Sequence, residues 1–187
     1  MAGKVKLIGD TTSGGTQSGA TNRLWIIKFA ADHSGTVTQM KVYTVNPGTG
    51  NFVSVAIYSD VDGSPTSLLS HVDDVPLVWE NTIEIPQINI SAGMSYWLAA
   101  VRSSGDLSYE SGGTSRYANI TYSSFEFPDP MGGLEFFDRT RKFRLSGWGT
   151  LATGGTGRLI GGPGKHPLIS GPGKHPLISC GGNPLIG

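Results

Sequence analysis

Charge of either sign is scarce in this chain, and the acidic and basic residues cancel. Fourteen Lys and Arg stand against fourteen Asp and Glu, and charged residues make up only 15% of the sequence, so the formal net charge is zero. Proteins that bind nucleic acid or an anionic membrane need clustered positive charge. The sequence therefore predicts neither nucleic acid nor a membrane as a partner.

Cysteine is nearly absent, and long apolar runs are missing. Cys180 is the single cysteine, so no internal disulfide can form. No segment approaches the ~20 consecutive apolar residues of a membrane span, and the N-terminal segment lacks the apolar stretch of a signal peptide. From these absences we expect a protein that is made in a cytoplasm and does not cross a membrane.

Catalytic motifs are absent as well. The sequence contains no nucleophile elbow, no His-Glu-x-x-His zinc motif, no P-loop and no dinucleotide-binding fingerprint. His33 and His71 have no serine, cysteine or carboxylate at a known catalytic spacing. We therefore predict that the protein is not an enzyme and that it has no cofactor.

What the sequence does contain, from Arg23 to Gly149, is a series of short alternating runs. The clearest lie at residues 23–31, 36–45 and 51–59, where β-branched and aromatic residues recur with period two and the intervening segments carry Gly, Pro, Asn and Asp. Weaker runs follow up to Trp148, and no helical periodicity interrupts them. The pattern predicts an all-β sandwich or barrel, with four tryptophans filling the space between two sheets: Trp25, Trp79, Trp97 and Trp148.

Three segments carry a family resemblance. They are G-x-V-T at Gly35–Thr38, V-x-V-x-I-Y-x-D-x-x-G-x-P at Val53–Pro65, and I-x-x-G-x-x-Y-W-L-A at Ile90–Ala99. Over residues 25–102 the chain resembles a jelly-roll β-sandwich module of bacterial surface proteins and phage virion structural proteins. The resemblance implies an antiparallel, jelly-roll-like β-sandwich with a non-catalytic structural or binding role, and it identifies no ligand site.

Two groups of charged residues are candidates for binding. Asp60 and Asp62 stand two apart before a glycine and could offer oxygens to Ca²⁺, although a hairpin turn is the favoured interpretation. A basic cluster follows at residues 139–144. Alternation places Arg139 and Arg141 on one face and Lys142 and Arg144 on the other, so protection of an edge strand is favoured over an anion site.

Aromatic residues in the second half of the sandwich segment are candidates for facing a ligand. They flank or lie within an irregular loop, and such loops on rigid sandwiches often carry recognition. The alternative is that they are core and turn residues. The set is Tyr117, Tyr122, Phe125 and Phe127.

The C-terminal tail is rich in Gly and Pro and carries a repeat. A Leu-Ile pair recurs at nine-residue intervals, from Leu159 to Leu168 to Leu177, and the nonapeptide GPGKHPLIS occurs twice in succession. Repeats this short cannot bury an apolar pair without stacked neighbours, so we expect the tail to assemble copies of the chain, with a trimer favoured. An engineered, duplicated linker is the alternative. The residues assigned to assembly are Leu159, Ile160, Leu168, Ile169, Leu177, Ile178, Leu185 and Ile186.

A threefold arrangement would also bring copies of His166 and His175 into rings of three imidazoles, which is a metal-binding geometry. Solvated corners of the repeat are the favoured interpretation of these histidines, and we predict no bound metal.

These features predict that the chain has three segments, and they suggest a function for it. We expect an N-terminal arm over residues 1–22, a sandwich over 23–150 and a repeat tail over 151–187. A surface-type sandwich without a leader suggests a phage structural protein, namely a capsid decoration, head fibre or tail fibre subunit assembled in the host cytoplasm. Its partners would be itself and other virion proteins. The alternatives are a carbohydrate-binding or adhesion module for surface glycans, and an extracellular filament subunit whose tail acts as a donor strand.

Overall fold

The computed structural model describes residues 3–12, 16–18 and 22–152. The chain divides into two units, Met1–Thr153 and Gly154–Gly187, and the described residues all belong to the first. Within them the fold is all-β and antiparallel, and no helix is long and apolar enough to span a membrane. The strands are β1 (Val5–Gly9), β2 (Thr16–Ser18), β3 (Arg23–Ala30), β4 (Gly35–Val45), β5 (Phe52–Val61), β6 (Ser64–Pro76), β7 (Glu80–Ile90), β8 (Ser95–Arg102), β9 (Asp106–Asn119), β10 (Phe137–Phe143) and β11 (Leu145–Leu151), with a 3₁₀ turn at Tyr122–Ser124.

The strands form two connected sheets in a β-sandwich-like arrangement. The smaller sheet has the order β1-β11-β4-β7, and the larger has β6-β5-β8-β3-β9, with β2 and β10 also paired to β9. The sheets join where Thr44 and Val45, at the end of β4, pair with Leu107 and Asp106 of β9. The main hydrophobic core lies between the two sheets.

Alternation along the three clearest runs predicted the faces of the strands correctly. In β3, Trp25 and Ile27 belong to the intersheet core, whereas Leu24 and Ile26 face the other way and are also fully buried. Both faces of this strand are therefore covered. A strand that is apolar on both faces is typical of a sheet buried on both sides, and the larger sheet is such a sheet.

The cover on the outer face of the larger sheet is the segment between β9 and β10. It packs its apolar side chains on β3, β5 and β8 and closes a second hydrophobic cluster. Its backbone is fastened to β6, since the amide of Met131 donates to the carbonyl of Thr66 over 2.8 Å and the amide of Leu68 donates to Oδ1 of Asp129 over 3.0 Å. The residues that pack on this face are Ile120, Tyr122, Phe125, Phe127, Met131, Leu134 and Phe136.

The tryptophans are distributed differently from the prediction. Trp25 fills the intersheet space as expected, but the prediction is wrong for the other three. Trp97 is fully buried in the outer cluster, because it alternates with the inward-facing Leu98. Trp148 lies near Lys41 on the outer side of the smaller sheet, with 4.6 Å between the ammonium and the ring centre. Trp79 precedes β7 and is 61% exposed.

The N-terminal segment is more than an arm. Leu7 and Ile8 of β1 are fully buried in the core, β1 pairs with β11, and Ile8 bridges to Ala31. The sandwich therefore begins before residue 23. A short apolar run of this kind is too brief for alternation to identify as a strand.

The run from Arg141 to Trp148 contains two strands rather than one. It breaks at Arg144, where the chain leaves the larger sheet as β10 and enters the smaller sheet as β11. Alternation continues across such a crossing, because each strand keeps apolar side chains toward the shared core. The break is therefore invisible in the sequence pattern.

Candidate functional site

The four aromatic residues predicted to face a ligand lie on opposite faces of the larger sheet. Tyr117, on β9, points into the space between the sheets, and Tyr122, Phe125 and Phe127 lie in the outer cover. They do not form one groove. The structure thus divides them into two sites that have to be considered separately.

The three outer aromatics are engaged in packing. Phe127 is only 8% exposed, its ring centre is 5.1 Å from that of Phe125, and the ring of Tyr58 lies 6.4 Å away. The hydroxyl of Tyr58 donates to the carbonyl of Pro128 over 3.0 Å. Burial, reinforced by nearby carboxylates, raises the pKa of Tyr58, so this hydroxyl stays a donor.

Tyr122 anchors the N-terminal end of the cover to the larger sheet through its hydroxyl group. Its hydroxyl donates to Oδ1 of Asp74 over 2.8 Å and lies 3.3 Å from Oγ of Ser54. Burial and the bond to Asp74 raise the pKa of Tyr122 to about 12. These contacts show that the outer aromatic residues form part of the cover over the second hydrophobic cluster.

On the inner face, Tyr117 stands at the centre of a cluster of aromatic rings and guanidinium groups. The Arg23 and Arg139 guanidinium carbons lie 4.5 and 4.8 Å from the centre of its ring, and that of Arg141 lies 5.3 Å from Trp25. We call these five residues, Arg23, Trp25, Tyr117, Arg139 and Arg141, the arginine–aromatic cluster. Guanidinium groups over aromatic faces gain cation–π energy, about 0.5–1 kcal/mol at exposed sites.

Strand pairing assembles this cluster. Tyr117 is in register with Trp25 of β3 on one side and with Phe137 of β10 on the other. Arg23 and Arg139 each stand two residues from these partners, on the same face, and so reach the same ring. Below them the rings of Trp25 and Tyr117 lie 5.0 Å apart, and Phe143 packs on Trp25 at 4.6 Å.

Around Arg23 and Arg139, hydrogen-bond donors outnumber acceptors. Among the described residues, the guanidinium of Arg23 has no hydrogen-bond or ion-pair partner, and that of Arg139 donates only to the carbonyl of Asp138 and the hydroxyl of Tyr117. Nε1 of Trp25 is buried and also has no partner among them. A buried donor without an acceptor costs free energy. The surface over Tyr117 is therefore positively charged and short of acceptors.

Arg102 lies at the end of β8 and extends this positive region into the core. It is fully buried, donates from Nε to the carbonyl of Gly105 over 2.6 Å, and has NH2 4.0 Å from Oδ1 of Asp106. Burial lowers the pKa of Arg102 to about 10, with Asp106 opposing and the positive charge of Arg23 adding to the fall. Arg23 and Arg102 therefore repel each other electrostatically.

The basic cluster predicted at residues 139–144 divides between faces as alternation required. Lys142 faces away from Arg139 and Arg141, and its ammonium lies 2.9 Å from Glu110 and 3.1 Å from Asp10. The bond to Glu110 raises the pKa of Lys142; burial opposes this rise and Asp10 supports it. Arg144 leaves the strand and lies 3.7 Å from the ring centre of Tyr43.

Asp60 and Asp62 take part in a tight turn. Asp62 and Gly63 join β5 to β6 with φ of 52° and 80°, the positive pair that a type I′ hairpin turn requires. Asp60 accepts a hydrogen bond from Nε1 of Trp97 over 2.7 Å and forms an ion pair with Lys28 at 2.9 Å. In residues 3–12, 16–18 and 22–152, no group of three or more His, Cys, Asp or Glu could hold a metal ion.

The remaining predicted residues lie outside the described part of the chain. They are the assembly residues Leu159, Ile160, Leu168, Ile169, Leu177, Ile178, Leu185 and Ile186, and the histidines His166 and His175. Their assignments stay predictions.

Comparison with known proteins adds nothing to these assignments. No protein-family model matches the chain, and no curated protein is detectably similar to it. Functional inference therefore depends on the strand order, the site geometry and the repeat.

Sequence reasoning missed the part of the cluster that β3 contributes. Arg23 was only the first residue of an alternating run and Trp25 was assigned to the core, and nothing local joins them to Arg139, more than a hundred residues later. One signal was present: Arg23 and Arg139 both stand on the same face as an aromatic residue two positions away, Trp25 and Phe137. An arginine on an otherwise apolar face needs an anion or an aromatic ring as partner.

Proposed function

We propose that the chain is a jelly-roll structural protein of a virus particle, which does no chemistry and assembles through its C-terminal repeat. The strand pairing supports the jelly-roll part. Four pairings nest within one another, β1 with β11, β3 with β8, β4 with β7 and β5 with β6. A single long antiparallel ribbon rolled around a core has this nesting, and jelly rolls of this kind are common in viral capsids and lectins.

The assembly role is supported by the repeat in the tail, and not by the strands outside the nested ribbon. Strands β2, β9 and β10 lie outside the nested ribbon and extend the larger sheet beyond β3. The segment between β9 and β10 then covers the outer face of that sheet. The tail sequence has four Leu-Ile pairs and only three intervals between them, so a single chain offers few repeats on which these pairs could stack. Neighbouring copies, in a trimer, would supply them.

A second function, glycan binding, is favoured by one observation. Trp79 is 61% exposed, and the neighbouring Val78 is 50% exposed. An exposed indole offers a flat apolar face on which a sugar ring can stack. This would suit a lectin-like jelly roll that attaches a particle or a cell surface to a glycan.

The assembly proposal is tested by measuring the mass of the full chain in solution by light scattering. In one variant, Leu168, Ile169, Leu177 and Ile178 are replaced by serine. In the matched control, Lys165 and Lys174 of the same repeats are replaced by serine, which leaves the apolar pairs intact. We expect the unaltered chain and the control to be oligomers, and the apolar variant to be a monomer.

A full-length chain that is monomeric would contradict assembly through the repeat. Equal masses for the two variants would likewise contradict a role for the Leu-Ile pairs. In either case, a Trp79→Ala comparison on a glycan array would test the second function, because only a stacking site loses binding when the indole is removed.

A further inference from the structure

We propose that the arginine–aromatic cluster binds the carboxylate of an acidic sugar. The site consists of the guanidinium N–H groups of Arg23 and Arg139, which lie on the two strands that flank Tyr117 in the sheet. It is independent of the proposed virion role, because a monomer would carry it as well as an assembled particle.

The first argument is the surplus of donors. A guanidinium carries five N–H donors and no acceptor. The guanidinium of Arg23 has no hydrogen-bond or ion-pair partner among the described residues, and no carboxylate of that set lies within 4.0 Å of the guanidinium of Arg139. The ligand that complements such a surface is rich in acceptors and negatively charged. A carboxylate is the group whose planar, two-oxygen edge matches the guanidinium fork.

The second argument is preorganisation. Both guanidinium groups are stacked near one ring, at 4.5 and 4.8 Å from its centre, and Arg139 is also fixed by its bonds to Tyr117 and Asp138. Side chains that are already ordered lose less conformational entropy when a ligand binds. A free surface arginine would not offer this advantage.

The third argument selects a sparsely charged ligand. The neighbouring cations Arg116 and Lys142 face away from the cluster and are paired with Asp138 and Glu110, each at 2.9 Å, so they do not extend its positive surface. A densely charged polymer such as a nucleic acid needs a long stripe of cations, which the two guanidinium groups over Tyr117 do not provide. One negative charge surrounded by neutral oxygens fits better, and a uronic acid combines both in one sugar residue.

The test is a titration of the full, ¹⁵N-labelled chain. During the titration, NMR monitors the resonance of the Trp25 indole N–H, which lies beneath the arginines. The probes are D-glucuronate, D-glucose as its neutral match, inorganic phosphate, and N-acetylaspartate amide as a peptide carboxylate. We expect a saturable shift of the Trp25 resonance with glucuronate, and weaker or no shift with the other three. Added salt should weaken the glucuronate response, because the attraction is partly screened.

Substitutions locate the site. Arg139→Gln and Arg23→Gln should each raise the Kd for glucuronate about tenfold, the size expected when one charge-assisted hydrogen bond is lost. Arg116→Gln is the matched control, because Arg116 lies on the opposite face of the same sheet, over Trp97. It should leave the Kd within about twofold. The dispersion of each variant's spectrum verifies that it is folded, and Arg139→Lys, which keeps the charge but loses the planar fork, should also bind weakly.

Several results would overturn the proposal. Glucose acting as strongly as glucuronate would show that charge is not recognised, and equal losses in the Arg139→Gln and Arg116→Gln variants would remove the site from this face. Phosphate or N-acetylaspartate amide binding as tightly as glucuronate would replace the sugar with a free anion or an acidic peptide.

Discussion

Phe127 offers the most direct test of how the outer face of the larger sheet is used. Its ring is 8% exposed and packs on Phe125, Tyr58 and His71 within the second hydrophobic cluster. If the segment between β9 and β10 is a structural cover, Phe127→Ala removes a packed ring. If the segment is instead an open ligand groove, the same change removes little folding energy.

The magnitude follows from burial. Truncating a buried phenylalanine to alanine costs about 3–5 kcal/mol, the sum of lost transfer energy and a residual cavity. A loop can collapse more easily than a strand, so we expect the lower end, about 3 kcal/mol. For a chain of this size, each kcal/mol lowers Tm by roughly 2–4 °C, so Tm should fall by roughly 6–12 °C.

The assay is equilibrium unfolding by urea and by heat, followed by tryptophan fluorescence. Phe52→Ala is the matched control, since Phe52 is 38% exposed and not part of either hydrophobic cluster. It should cost less than about 1 kcal/mol. A loss below 1 kcal/mol in Phe127→Ala, equal to that of the control, would refute the assignment of this segment as a cover.

Three further predictions concern stability. Gly149→Ala should destabilise by about 3 kcal/mol, because the added Cβ would collide with the backbone carbonyl of Thr36, whereas Gly3→Ala, with no atom within 4 Å, should be neutral in the same urea titration. Burial opposes ionisation of Asp60, but hydrogen bonds from its neighbours outweigh it and lower its pKa below 3.8. This stability is present above pH 3.8 and is lost as pH falls through the lower, folded-state value; the decline between pH 6 and pH 3 should therefore be shallower in Asp60→Asn. Tyr122, with its pKa raised to about 12, contributes stability that is complete below pH 10 and lost as pH rises through 12. Tyrosinate absorbance should show a late-titrating group that is missing in Tyr122→Phe, and an unchanged titration would contradict the assignment.

The sequence predicted the fold class and the orientation of most strands. Alternation needs only that successive side chains of a strand point to opposite faces, so the inward positions of Met40 and Val42 follow from their neighbours alone. The Asp-Gly turn after Asp60 was likewise predictable, because positive φ at both central positions selects these residues.

Pairing between distant segments could not be predicted from the alternation pattern. The short strand containing Leu7 and Ile8 was missed because it has too few residues to show a period, although its burial beside β11 makes it part of the core. Trp97 was assigned to the wrong side of its sheet for a related reason. Its alternation with Leu98 was visible, but the existence of a cover on the outer face was not.

What the sequence by itself determined is local: strands, turns and the face on which each side chain lies. Only the tertiary structure decided that β9 pairs with both β3 and β10, and so brings Arg23 and Arg139 to the ring of Tyr117. The physical reason is that backbone geometry fixes the direction of a side chain within its own strand. The neighbours it meets are chosen by hydrogen-bonded pairing and burial summed over the whole chain.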